Sequence, residues 1–219
     1  GMHGSMHGLP MGKGRSPLNW ALITGGKEFH TSLFKYESNI DGGDIYDTES
    51  FDVLDSDSIS DLHLKNLRAM INLTNKLTRQ ISQQNNVKFK PQNSQGETFY
   101  PKRTPDDGDL DWNTSSVLVT RFINALSKPY PLARTKTSCG KTIKLYDAKV
   151  FYSVKYSSPC PGLVLDVLDL DRALIVGTSD GAIIVKTDDN LSNINPGTRF
   201  SSVCYNQILQ KIIRRHKLQ

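Results

Sequence analysis

Apolar and polar positions along this 219-residue chain follow two different rhythms, one helical and one strand-like. Residues 3–16 show neither: four glycines, a proline and few spaced apolar residues predict a loop. Pro17 suits the first turn of a helix, where its missing N–H costs nothing. Leu18, Trp20, Ala21, Leu22 and Ile23 fill that helix, and Gly25-Gly26 end it. Residues 29–36 alternate as a strand, with Thr31, Leu33 and Lys35 on one face. Asp41-Gly42-Gly43-Asp44 reads as a turn, and 45–53 as a second strand.

The longest periodic segment is 57–84. Ser58 and Asp61 offer a capping box at its start. Ile59, Leu62, Met70, Leu73, Leu77 and Ile81 recur at spacings of three and four, with Asn66 filling one gap. Leu64, Leu67 and Ile71 widen the stripe and predict a helix packed on a sheet. Residues 85–108 turn polar and carry Pro91, Pro101 and Pro105, the composition of a linker. Beyond them come a helix over 114–126 and short strands over 142–153, 162–168, 173–178 and 181–186, with a tight turn at Ser179-Asp180-Gly181. A helix over 201–216 closes the series, with Val203, Ile208 and Ile212 as its apolar positions. Short strands at this spacing predict a small barrel. The pattern divides into an α/β unit over 1–90, a linker over 91–108 and a second domain over 109–219.

Composition narrows the class. With 37% hydrophobic and 22% charged residues the chain is lean but does not have the profile of disorder. No apolar run approaches the roughly 20 residues of a membrane span, and the three cysteines are too few and too scattered for a disulfide framework. Together these predict a soluble, cytoplasmic protein with no membrane partner. Net charge is +5, shared unevenly: residues 1–105 carry 12 Lys/Arg against 11 Asp/Glu, residues 106–219 carry 15 against 11. The basic half, with Lys211, Arg214, Arg215 and Lys217, offers a second reading as a non-catalytic RNA-binding module.

Two fragments imitate a phosphate-binding loop and fail it. Gly12-Lys13 is followed by Gly14 rather than Ser or Thr, and Gly140-Lys141-Thr142 leads into a strand, not a helix. The five histidines share no ligand spacing except His3 and His7, which lie in the glycine-rich stretch with no common helical face, so no metal site is predicted.

By themselves, one histidine at position 3 and one aspartate at position 41 define no site. Their neighbourhood does more. His3-Gly4-Ser5, then Leu9-Pro10, then Gly12-Lys13-Gly14-Arg15-Ser16-Pro17-Leu18-Asn19-Trp20-Ala21, then Asp41-Gly42-Gly43-Asp44 resembles the signature of the 10-formyltetrahydrofolate-dependent formyltransferases. That group includes the methionyl-tRNA and sugar-amine enzymes. The resemblance continues through Lys102–Trp112, Gly140–Leu145, Pro161–Val164 and Thr178–Ala182. It implies a doubly wound α/β unit followed by an OB-like barrel, and transfer of a formyl group from 10-formyltetrahydrofolate to a primary amine on a sugar nucleotide or an aminoacyl-tRNA. It implies catalytic roles for His3 and Asp41, with Ser5, Gly12, Gly14 and Arg15 shaping the pocket, and RNA contact by the C-terminal half as a candidate.

Two departures qualify it. The family places an asparagine two residues before this histidine, and Gly1 stands there. The family's enzymes also carry a further segment ahead of the histidine, which forms the first half of the sheet and much of the folate pocket. The expectation is therefore a truncated catalytic unit with little activity of its own, exposing apolar surface and a strand edge through which a homodimer could form. The slightly longer spacing from His3 to Pro17 favours the sugar-amine branch.

Overall fold

Residues 3–16 are not a continuous loop. In the computed structural model, which describes residues 1–83, 86–93, 95–152 and 158–217, β1 (Met2–Ser5) enters a sheet and β2 (Lys13–Gly14) pairs with a later segment. Glycine and histidine mask β1 in the sequence because it lacks the β-branched and aromatic residues by which a strand is usually recognised. The chain divides into two compact units, Gly1–Lys102 and Arg103–Gln219.

In the first unit, α1 (Pro17–Thr24) buries every residue from Leu18 to Ile23, so it has no polar face. Gly25, at φ 76°, ends it, and Gly26 N–H donates to the Ala21 carbonyl at 2.8 Å. β3 (Glu28–Phe34) runs between β1 and β4 (Ile45–Asp52), and both pairings are antiparallel. The parallel doubly wound sheet implied by the resemblance is thus not built by these residues. For β3 and β4 the reason is local: a short connection returns the chain alongside itself. α2 (Ile59–Ser82) starts at a complete capping box, in which Ser58 N–H donates to Asp61 Oδ2 at 2.8 Å. It buries Ile59, Leu62, Ala69 and Leu73. Leu64, Leu67 and Ile71 instead remain exposed, because at 3.6 residues per turn they sit about 160° round the helix from that stripe. Gln84, at the end of the expected helix, lies outside the described residues. Phe29, Ile59, Leu62 and Leu73 are among the fully buried side chains, each contributing about 1.5–3 kcal/mol.

Residues 97–101 fold back onto this unit. β5 (Phe99–Tyr100) pairs in parallel with β2, and Trp20 Nε1 donates to the Pro101 carbonyl at 3.1 Å.

The second unit opens with a 3-10 turn at Pro105–Asp107, then α3 (Ser116–Ala125). Its sheet holds β6 (Ala133–Lys136), β7 (Thr142–Phe151), β8 (Val164–Leu168), β9 (Ala173–Gly177) and β10 (Ala182–Lys186), in the order β6-β7-β10-β9-β8. β6 has no sequence signature because its inward residues are only Ala133 and Thr135, too small and too polar to mark an alternation. The strand expected over 142–153 ends at Phe151, and Ser153 lies outside the described residues.

The ladder of named strands is open and does not itself close into a barrel. Residues 197–201 run past both of its edges: Val164 N–H donates to the Thr198 carbonyl at 2.8 Å, and Ser201 N–H to the Lys136 carbonyl at 2.8 Å. α3 is tied to β7 by Asn124, whose amide donates to the Ala148 carbonyl at 3.0 Å and accepts from Ala148 N–H at 2.9 Å. At the core, Trp112 stacks on Phe200 at 5.9 Å and donates to Thr135 Oγ1 at 3.0 Å. α4 (Tyr205–Lys217) starts later than expected, since residues 201–204 carry no regular secondary structure. It buries Ile212 and holds the opening turn through Arg215, which donates with two nitrogens to the fully buried Asp107.

Candidate active site

β1 presents His3 and Ser5 on one face, as a strand must. The His3 ring is wedged between two acceptors. Nε2 lies 2.9 Å from the Gly12 carbonyl, and Nδ1 lies 3.3 Å from Asp41 Oδ2. A carbonyl and a carboxylate only accept hydrogen bonds, so the Gly12 contact fixes a hydrogen on Nε2, and the Asp41 contact becomes a hydrogen bond when Nδ1 carries one too. Both side chains are mostly enclosed, with 10% of His3 and 20% of Asp41 exposed.

Asp41 reaches the ring from a strained turn. Its φ is 48°, a left-handed conformation that aspartate tolerates better than most residues. Gly43 is required in this turn: a Cβ at that position would lie 1.9 Å from the Lys35 carbonyl oxygen. Asp41 Oδ2 also accepts from Gly14 N–H at 3.2 Å. No hydrogen bond engages its other oxygen, Oδ1, among the described residues.

The loop carrying Gly12 and Gly14 is gripped by residues 97–100. Gly12 N–H donates to Thr98 Oγ1 at 2.8 Å, Lys13 N–H to the Thr98 carbonyl at 2.9 Å, and Arg15 N–H to the Tyr100 carbonyl at 3.2 Å. Lys13 is 3% exposed and pairs with Glu97. At Gly12 a Cβ would collide with both Ser5 Cβ and the Tyr100 ring at 2.7 Å, so only glycine fits. Burial pushes the Tyr100 phenol up from its ordinary value.

The structure therefore brings His3, Asp41, Gly12 and Gly14 into one cluster, with Ser5 against Gly12. Ser5 is fully buried and its hydroxyl finds no partner among the described residues. Arg15 contributes its backbone, while its side chain is exposed. Sequence reasoning missed Lys13, Glu97, Thr98 and Gln92. A lysine between glycines reads as solvated, and the other three sit in a stretch that reads as linker. Among the described residues no group of three His, Cys, Asp or Glu side chains could hold a metal, and no helix is long and apolar enough to cross a membrane.

Chemically, the cluster offers an imidazole whose orientation is set from both sides and a carboxylate with one oxygen engaged and one open. That is a donor beside an acceptor, suited to a reaction in which an oxyanion forms and a nitrogen loses a proton.

Residues 102–189 match the C-terminal domain of formyl transferases. The chain is 29% identical over 188 residues to the methionyl-tRNA formyltransferase of Fusobacterium nucleatum subsp. nucleatum, an alignment covering 85% of this chain and 58% of that protein. HypX from Aquifex aeolicus, in complex with tetrahydrofolic acid, has the same fold over 97% of this chain and 35% of its own, with a TM-score of 0.69 at 19% identity. WlaRD, a sugar 3N-formyl transferase solved in the presence of dTDP and 5-N-formyl-THF, matches 87% of this chain and 65% of its own, with a TM-score of 0.66 at 18% identity. The chain thus spans 58% of the length of the curated relative and a smaller share of HypX.

Proposed function

We propose that this chain is a member of the formyltransferase family and that its His3–Asp41 cluster transfers a formyl group from 10-formyltetrahydrofolate to a primary amine. The observation that carries this reading is the contact of His3 with both Asp41 and Gly12, made by residues 38 and 9 positions apart. The amine nitrogen attacks the formyl carbon, the bond from that carbon to the donor nitrogen breaks, and one proton passes from the amine to the departing nitrogen. His3 supplies a donor to the oxygen of the tetrahedral intermediate by exchanging one of its two present acceptors for it. Such a donor is worth about 3–4 kcal/mol in a water-poor site. Asp41 orients the imidazole through Oδ2 and receives the amine proton at Oδ1. Ser5, Gly12 and Gly14 shape the pocket wall, and Arg15 is free to meet an anionic group of the acceptor.

The acceptor we favour is an amino sugar carried on a nucleotide, supported by the fold shared with a sugar 3N-formyl transferase and by the long His3–Pro17 spacing. Residues 1–90 are read as the catalytic portion, and 109–219 as an OB-like barrel closed by residues 197–201. A turnover assay with 10-formyltetrahydrofolate and a panel of amino sugars and methionyl-tRNA, following the N-formyl product, tests the reading. Product that disappears in His3→Ala and Asp41→Ala supports it; product that persists in either variant removes that residue from the reacting pair.

A second reading, RNA contact by the basic unit, is favoured by one observation. Lys136, Lys144 and Lys149 all point outward from β6 and β7, and none makes an ion pair among the described residues. Binding of tRNA that weakens steeply with salt supports this; salt-independent or absent binding counts against it.

A further inference from the structure

Gln92 lies in a polar, proline-punctuated stretch that carries no pattern of its own. Its side-chain amide donates to two carbonyls, those of Asp41 at 2.9 Å and Gly43 at 2.7 Å. The two acceptors bracket Gly42, so one planar group spans the turn from which the Asp41 carboxylate is presented. The orientation of that amide is not ambiguous. Turned over, its oxygen would face two carbonyl oxygens, an arrangement with no donor in it. The amide oxygen is itself buried with no partner among the described residues, so among them the two donated bonds are the hydrogen bonds that hold the group.

What the turn would do without Gln92 follows from its backbone. Asp41 is left-handed at φ 48°, and a non-glycine residue persists there only where its surroundings over-determine it. Gly42 N–H contributes one longer bond, to the Asn39 carbonyl at 3.2 Å. The stem from which Gln92 reaches is firmer: Lys90 and Ile45 exchange backbone bonds in both directions, at 2.8 and 2.7 Å. Further along the same segment, Glu97, Thr98 and Tyr100 hold the loop whose Gly12 carbonyl accepts from His3. One stretch of chain therefore restrains both sides of the His3 ring.

We infer that Gln92 is a positioning residue: by clamping the carbonyls of Asp41 and Gly43 it keeps the Asp41 carboxylate against His3 Nδ1. This rests on the reading of His3 and Asp41 as the reacting pair. Gln92 touches neither side chain and acts only through the main chain of the turn.

The test uses ring ¹⁵N resonances of His3 in the full chain, which report the hydrogen-bonding state of each imidazole nitrogen. Asp41→Asn sets the reference shift for loss of the carboxylate. Gln92→Met and Gln92→Glu keep the length of the side chain and remove its donors, whereas Gln92→Lys retains donors at a similar reach. The Met and Glu variants are expected to move the His3 resonances in the direction of Asp41→Asn by at least half its shift, while the Lys variant stays near wild type. In turnover, the donor-less variants lose about 10- to 100-fold in kcat, the scale of a misplacement near 1 Å, with KM for the amine unchanged. Unchanged His3 resonances in folded Met and Glu variants overturn the inference. So does loss of the fold in both while Lys folds normally, which would assign Gln92 to stability. Turnover that survives in His3→Ala and Asp41→Ala would sink the formyl-transfer reading while leaving the resonance comparison to decide on Gln92.

Discussion

At the scale of single residues, the charged groups that matter most are enclosed, and their partners decide their behaviour. Asp107 is the clearest case. Burial alone would raise its carboxyl, but the hydrogen bonds from Arg215 and from Thr104 N–H outweigh that and hold it below the ordinary carboxylate range. A depressed folded value means the stabilisation is fully present above the unfolded value, near pH 4, and is lost as pH falls through the folded one. Asp107→Asn is therefore expected to cost about 3 kcal/mol at pH 7, with the gap to wild type closing below about pH 4; urea unfolding at pH 7 and pH 3 reads both. Equal gaps at the two pH values would show that the ion pair is not the source. Lys13 is the parallel case in the first unit, an enclosed cation answered by Glu97. Burial of that lysine was illegible in the sequence because lysine between glycines carries no sign of what will cover it.

At the scale of elements, the ends and braces can be weighed separately. The capping box of α2 satisfies backbone donors that the helix cannot use itself, so Ser58→Ala is expected to lower stability by about 1 kcal/mol. A urea-unfolding difference of no more than a few tenths would mean that tertiary packing carries that end. Asn124 braces α3 to β7 with both ends of its amide, in a buried setting. Asn124→Leu keeps the bulk but leaves Ala148 N–H and C=O unpaired, and about 2–6 kcal/mol is the expected loss, from about 1–3 kcal/mol per buried orphan group; thermal unfolding measures it. α2 and the strands β7 to β10 were legible from their apolar periods, and α1 from Pro17 at its start and Gly25-Gly26 at its end. β1 and β6 were not: the first buries only Gly4 and Ser5, the second only Ala133 and Thr135, and neither set looks like a strand face.

At the scale of the whole molecule, the two units differ in what their surfaces offer. The second has outward lysines along β6 and β7, and for a single-stranded partner each phosphate neutralised changes the slope of log K against log salt by about 0.7. If Lys136, Lys144 and Lys149 each meet one phosphate, replacing all three by alanine lowers that slope by about 2. A slope unchanged by the triple substitution would remove this face from any RNA contact. The exposed Leu64, Leu67 and Ile71 show the limit of periodicity at this scale, since spacing alone could not say which side of α2 the sheet would take.

Short-range patterns, which depend on neighbours within a turn or a strand, were settled by the sequence: the helices, the hairpin-forming strands, the caps, and a motif that marks His3 and Asp41 as members of one set. Long-range agreement was not. Only the tertiary structure brings the 41–44 turn to the His3 ring, sends β3 back antiparallel to β1, and ties Gln92 to that turn and Thr98 to the Gly12 loop. The physical reason is that such contacts are hydrogen bonds between polar groups far apart along the chain, such as Gln92 with Asp41, and a lone polar residue has no period to announce its partner.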